Sequence, residues 1–218
     1  EFGHISHISS RQYHPANKNQ INKSSKTHFN KFSLGHININ HMINKFDQLK
    51  YYITRNDYDI FCVTETWLHD KITDDLLHID GYKLFRKDRK VGNGGGEVIY
   101  VKEEIKTLLH EDLNTSEVES LWVEVSIPGI SKVLVGCMYR QPKQISNEHF
   151  ECILDNIENA MSINENIIIM GDLNYDYKID ENLSTNPIYQ IECLYNMIQL
   201  VTSPTCVTKT TSTLIDII

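Results

Sequence analysis

Short apolar runs, each stopping on a polar or charged residue, recur along residues 32–218. Runs of this length suit strands buried on both faces better than helices. They occupy 32–40, 59–64, 97–101, 120–127, 132–139 and 166–172, and one more begins at 213. Between them the apolar period lengthens to that of amphipathic helices: Met42, Ile43, Phe46, Leu49 and Ile53; Phe150, Ile153, Leu154 and Ile157; and residues 188–200. The reading is at least seven strands and three helices. Strand, helix and strand over 32–64 argue for a mixed sheet covered by helices. Pro128-Gly129 marks the turn of a hairpin.

Residues 1–31 break this pattern. They are rich in Asn, Ser, His, Lys and Gln, lack apolar periodicity, and read as a disordered basic tail ahead of one domain over 32–218. The chain carries −8 overall, but residues 1–34 hold +4, leaving −12 on the rest. So acidic a body argues against a broad nucleic-acid-binding face, though a metal site gathers carboxylates and its cation reverses their local sign. No run approaches the length of a membrane span. The five scattered cysteines lack CxxC spacing, so neither a zinc site nor a disulfide framework is expected, and they read as mostly reduced core residues of an intracellular protein.

Four polar groups lie just past the ends of apolar strands: Asn38, Glu65, Tyr139-Arg140 and Asp172-Leu173-Asn174. Strand ends let a rigid sheet aim side chains at one point. Phosphodiester cleavage needs a hard cation on carboxylate or amide oxygens, a base for water and donors for the phosphate, and this set supplies most of that. Asn40 faces the same side as Asn38 and remains an alternative to it. Tyr139 also suits a core aromatic with a satisfied hydroxyl, and Asp172 with Asn174 an Asx turn.

Leu34-Gly35-His36-Ile37-Asn38, Thr64-Glu65-Thr66-Trp67-Leu68, Met138-Tyr139-Arg140-Gln141-Pro142, Met170-Gly171-Asp172-Leu173-Asn174 and Leu214-Ile215-Asp216-Ile217 follow the motif order of the endonuclease/exonuclease/phosphatase superfamily, which the chain resembles. Phe85-Arg86-Lys87-Asp88-Arg89, Gly94-Gly95-Gly96 and Ser203-Pro204-Thr205 make it similar to the endonuclease domains of non-LTR (LINE-type) retrotransposons. The resemblance implies a four-layer α/β sandwich of the DNase I-like type, with two packed mixed β-sheets flanked by helices. It implies Mg²⁺, with Mn²⁺ as an alternative, held by Glu65 and Asn38. Asp172 would align or deprotonate water, Asn174 would orient the phosphate, Tyr139 would hydrogen-bond phosphate or Asp172, and Asp216 would orient a histidine. The partner implied is DNA, nicked in the nucleus by a monomer whose polyprotein carries a reverse transcriptase.

In that family a Ser-Asp-His follows the Asp216 strand, and here the chain reaches Ile218 without one. The expectation is an incomplete domain with weak or no catalysis. Two rivals stand beside it: an abasic-site endonuclease or a phosphoinositide or sphingolipid phosphatase of the same superfamily, and a non-catalytic mobile-element remnant.

Other residues take plainer expectations. His36 reads as a packed core histidine, and Trp67 and Trp122 as core aromatics. Gly94–Gly96 reads as a hairpin turn rather than a phosphate cradle. Arg86, Lys87, Arg89 and Lys90 read as a solvated loop, with DNA-backbone contact second. Glu97, where the family commonly has Val, is costly if it faces the core.

Overall fold

The computed structural model describes residues 5–9, 32–115, 117–127, 131–144, 146–177, 183–207 and 212–217. In chain order these form β1 (Ile5–Ser9), β2 (Ser33–Asn38), α1 (Phe46–Asn56), β3 (Ile60–Thr64), β4 (Tyr82–Lys87), β5 (Glu97–Lys102), β6 (Lys106–Leu109), β7 (Glu119–Ser126), β8 (Val133–Tyr139), α2 (Asn147–Ile163), β9 (Ile167–Asp172), α3 (Pro187–Tyr195), β10 (Cys206–Val207), β11 (Ser212–Thr213) and β12 (Asp216–Ile217). Two five-stranded sheets result, ordered β1-β2-β3-β5-β4 and β12-β9-β8-β7-β6, with β10 and β11 as a small hairpin. The β2–β3 and β8–β9 pairs are parallel and the others antiparallel, so both sheets are mixed.

Alternation along each strand builds the layers, because successive side chains point to opposite faces. In β3, Ile60 and Cys62 enter the core between the sheets, while Phe61 and Val63 face outward toward Leu49 and Ile53 of α1. In β8, Val133, Val135 and Cys137 point inward, while Leu134 and Met138 pack with Ile153, Ile157 and Ala160 of α2 and with Ile188 and Ile191 of α3. The protein is therefore a four-layer α/β sandwich: helix, sheet, sheet, helices. The second outer layer is locked by a polar bridge. Trp122 donates its indole N–H to Asn156 Oδ1 at 2.9 Å, and Asn156 Nδ2 donates to the Leu113 carbonyl at 2.9 Å. Gly136 lies opposite Trp122 in the β7–β8 ladder, and a Cβ there would come within 2.5 Å of the indole.

Several elements escape the apolar pattern. β4 is half-buried throughout and dense in charge, and β6 alternates exposed and half-buried at a sheet edge. Ile5–Ser9, in the segment read as a disordered tail, pairs antiparallel with β2, correcting that reading for these five residues; residues 10–31 lie outside the described ones, as does the Pro128-Gly129 turn. The last helix is shorter than its sequence pattern. Asn186 caps its start by accepting from Ile188 N, and it ends where Asn196 turns left-handed at φ 54°, so 197–200 are not helical.

Strand register aligns polar residues in two rows. Glu119, Tyr139, Asp172 and Asp216 are successive partners across one sheet. Asn38, Thr64, Glu97 and Lys87 are successive partners across the other. The apolar interior of the sandwich thus gives way to polar side chains at one end.

Candidate active site

The two rows meet through Asn38. Its Nδ2 donates to Asp172 Oδ2 at 2.8 Å, joining the end of β2 to the end of β9 across the gap between sheets. Asp172 also accepts the backbone N–H of Asn174 at 2.9 Å, an Asx turn closing the strand. Glu65 comes from the loop after β3. The Tyr139 hydroxyl donates to its Oε1 in a very short contact. Its Oε2 accepts the Trp67 indole N–H at 2.5 Å and the Gly95 N–H at 3.2 Å.

Burial and charge set the proton affinities. Asp172 is pushed up to about 6, first by burial and further by Glu65, against the Asn38 and Asn174 hydrogen bonds and Arg140, which lower it. Asp216 is pushed up to about 7, first by burial and then by Asp172. Burial and the hydrogen bond to Glu65 raise the Tyr139 phenol, so it stays protonated and a donor. A carboxyl raised to about 6 is a stronger base, once ionised, than an ordinary aspartate.

The backbone is strained here. Among the described non-glycine residues, Asn40, His41, Glu65, Trp67 and Asn174 have positive φ of 43° to 75° at these strand ends, whereas the other two, Asp57 and Asn196, terminate helices. Left-handed backbone at a non-glycine residue costs about 1–3 kcal/mol and tends to mark functional sites. The strain is held by a ladder that continues past the strands. Ile39, His41 and Met42 N–H groups donate to the Thr64, Glu65 and Thr66 carbonyls at 2.9–3.1 Å, and Trp67 N–H donates to Gly95 O at 2.9 Å.

Each residue singled out in sequence therefore sits at one end of the sandwich, with differences in detail. Asn40 is exposed on the turn beyond β2, while Asn38 makes the cross-sheet bond. Asn174 directs its amide inward, with Nδ2 donating to the Arg140 carbonyl at 2.7 Å. Asp216 lies 3.5 Å from His36 Nδ1, and both facing atoms are buried without a hydrogen bond. Burial pushes His36 down to about 3, keeping it neutral, and its Nε2 meets Thr64 Oγ1 at 3.0 Å. A single proton between His36 and Asp216 satisfies both.

The basic cluster is not a solvated loop. Arg86 pairs with Asp74 and Asp88, Lys87 donates to the carbonyls of Thr115, Val118 and Ser120, and Arg89 grips Glu119; of the four, Lys90 is exposed. Glu97 faces the core at 1% exposure, and its carboxyl is raised well above the usual range by burial and then by Glu119. The glycine run joins β4 to β5, as a hairpin turn should, yet Gly95 also donates to Glu65. Sequence reasoning missed Arg140 as a brace. Buried, it donates to the Leu173 and Asn174 carbonyls at 2.5 Å each and stacks 3.7 Å from the Tyr175 ring centroid, fixing the Asp172–Asn174 loop. Its place beside Tyr139 was the available signal.

A family model described as the endonuclease/exonuclease/phosphatase family matches residues 35–216. The chain belongs to that family. The match runs from the β2 strand to Asp216, so it spans every residue of the polar end just described. Among solved structures, the endonuclease domain of TRAS1, a telomere-specific non-LTR retrotransposon, superposes at a TM-score of 0.67 with 12% identity, over 85% of this chain and 82% of that one. The human Nocturnin catalytic domain superposes at 0.58 with 14% identity, over 83% and 78%. The 3′ phosphatase NExo from Neisseria reaches 0.50 with 15% identity, over 69% and 60%. At such identities the family likeness is one of fold. No curated protein matches the chain. No helix of the described residues is long and apolar enough to cross a membrane.

Proposed function

We propose that the protein is a divalent-metal-dependent DNA endonuclease of the retrotransposon type, nicking one strand to leave a 3′ hydroxyl. The observation that carries this is the convergence of Asn38, Glu65, Tyr139, Asp172 and Asn174, from four separate strand ends, on one hydrogen-bonded cluster spanning both sheets. The likeness to the TRAS1 endonuclease domain supports the choice of DNA.

The residues fit a Mg²⁺ that keeps much of its water shell, which needs only one or two protein oxygens. Glu65 offers a carboxylate, and Asn38, whose Nδ2 is engaged by Asp172, leaves its carbonyl oxygen free to accept. When bound, such a cation would offset phosphate charge and lower the pKa of water at the site. Asp172 takes the proton from the attacking water. Tyr139 holds Glu65 in one rotamer, and the second amide hydrogen of Asn174 meets the phosphate oxygens. His36 is fully buried, so it cannot reach a phosphate. On this reading the enzyme works as a monomer on nuclear DNA, and the 3′ end primes a reverse transcriptase of the same polyprotein.

The test is relaxation of supercoiled plasmid with Mg²⁺ or Mn²⁺, alongside calorimetric Mn²⁺ binding. Metal-dependent nicking that is abolished in Glu65→Ala, with weakened Mn²⁺ binding in the same variant, is the expected result. Release of phosphate from phosphoinositides or sphingolipids without plasmid nicking would overturn it, as would cutting confined to abasic DNA.

A further inference from the structure

Trp67 departs from its expected place in the core: Trp122 is fully buried, but Trp67 is 41% exposed. It is also an exposed aromatic in direct contact with the site, its indole N–H lying on Glu65 Oε2 at 2.5 Å. The ring is held by everything around it. Its own φ is +56°, its backbone N–H is bonded to Gly95 O, and His41 packs against it with ring centroids 5.6 Å apart. Gly94 approaches its edge so closely that a Cβ there would lie 3.3 Å from Nε1. Both His41 and Trp67 occupy left-handed backbone, and the ladder through Glu65 and Thr66 fixes them relative to each other. Strained backbone clusters at functional sites, and here it holds an aromatic face open to solvent beside Glu65.

Charge narrows the choice of ligand. The body of the chain beyond residue 34 carries −12, and Arg86, Lys87 and Arg89 are spent on internal partners. Phosphate attraction alone is therefore a weak source of affinity here. Base–aromatic stacking is independent of surface charge and contributes about five- to hundredfold in affinity per base.

We propose that the exposed face of Trp67, with His41 packed beside it, stacks a nucleobase of the substrate strand beside the scissile phosphate, making Trp67 a substrate-binding residue and a nucleic acid the substrate class. The proposal rests on the phosphodiesterase reading of the neighbouring Glu65 site. It separates that reading from lipid and sugar phosphates, which carry no base.

Trp122 is inaccessible, so acrylamide quenching of the whole protein reports Trp67. In EDTA, a short single-stranded DNA should protect the emission from acrylamide, and a tetrahydrofuran phosphate strand of equal length, which has no bases, should not. Trp67→Leu should weaken DNA binding about five- to hundredfold, Trp67→Phe should weaken it less, and neither should change binding of the baseless strand more than about twofold. Unchanged quenching with DNA bound overturns the proposal, as does equal weakening for both strands, which is the mark of a structural role through Glu65. If Trp67→Leu does not fold, the wild-type quenching experiment decides alone. Plasmid nicking with an unprotected Trp67 defeats this inference and leaves the endonuclease reading standing, whereas neither nicking nor DNA binding defeats both.

Discussion

Replacing Asp216 with Asn should make the protein more stable in alkali, against the usual expectation for a buried polar residue. Asp216 is 4% exposed and pushed up to about 7 from an ordinary 3.8, first by burial and then by Asp172. A raised carboxyl favours folding fully while protonated in both states, and that stability is lost as pH rises from near 4 through about 7. About three pH units of separation at about 1.4 kcal/mol each give about 4 kcal/mol lost by pH 8.5. Asp172, raised to about 6, adds a slope of the same sign. The substituted amide has no charge to desolvate, it can donate to the neutral His36 Nδ1, and its neutrality relieves Asp172. Urea unfolding at pH 5 and pH 8.5 reads both effects. Wild type should lose several kcal/mol between the two pH values. Asp216→Asn should show a visibly flatter profile and gain about 2–4 kcal/mol at pH 8.5, or roughly 4–16 °C in Tm for a chain of this size. An equal slope in the two proteins, or a variant weaker at pH 8.5, refutes the reasoning.

Glu97→Val removes a buried carboxyl raised by desolvation and should raise Tm, by about 1–3 kcal/mol equivalent and more at pH 8 than at pH 5; calorimetric scans at the two pH values check it. Asn156→Ala strands the Trp122 N–H and the Leu113 carbonyl in the core, so a loss of about 2–4 kcal/mol is expected in urea titrations. Tyr139→Phe frees Glu65 from its short hydrogen bond and should lower the plasmid-nicking rate about 10- to 100-fold with Tm changed little, as followed by gel densitometry and thermal unfolding.

The sandwich was readable because its central strands are apolar on both faces. β3 and β8 announce themselves from composition alone, and the residues that stop them are the ones gathered at the polar end. Strands on the rims carry no such signal. β4 spends its charges on loop carboxylates and backbone carbonyls, and β1 lies in a stretch whose composition is that of a tail. Side-chain commitments were equally hidden. Nothing in the string Arg86-Lys87-Asp88-Arg89 shows that three of its cations are consumed by Asp74, Asp88, Glu119 and backbone carbonyls from distant segments. Nor could the pattern tell Trp67 from Trp122. Trp122 lies within β7, whereas Trp67 lies in the loop after β3 on left-handed backbone, and φ is not written in composition.

The two facing rows of polar residues also bear on how the sandwich moves. Along most of its length the sheets are cemented by interlocking aliphatic side chains, which no solvent molecule can replace. At the Asn38–Asp172 end the cement is a hydrogen bond, for which water is a ready substitute. The molecule should therefore behave like a bivalve with its hinge in the aliphatic interior and its lips at the polar end, where the β2 and β9 termini exchange their amide protons well before the strand centres do.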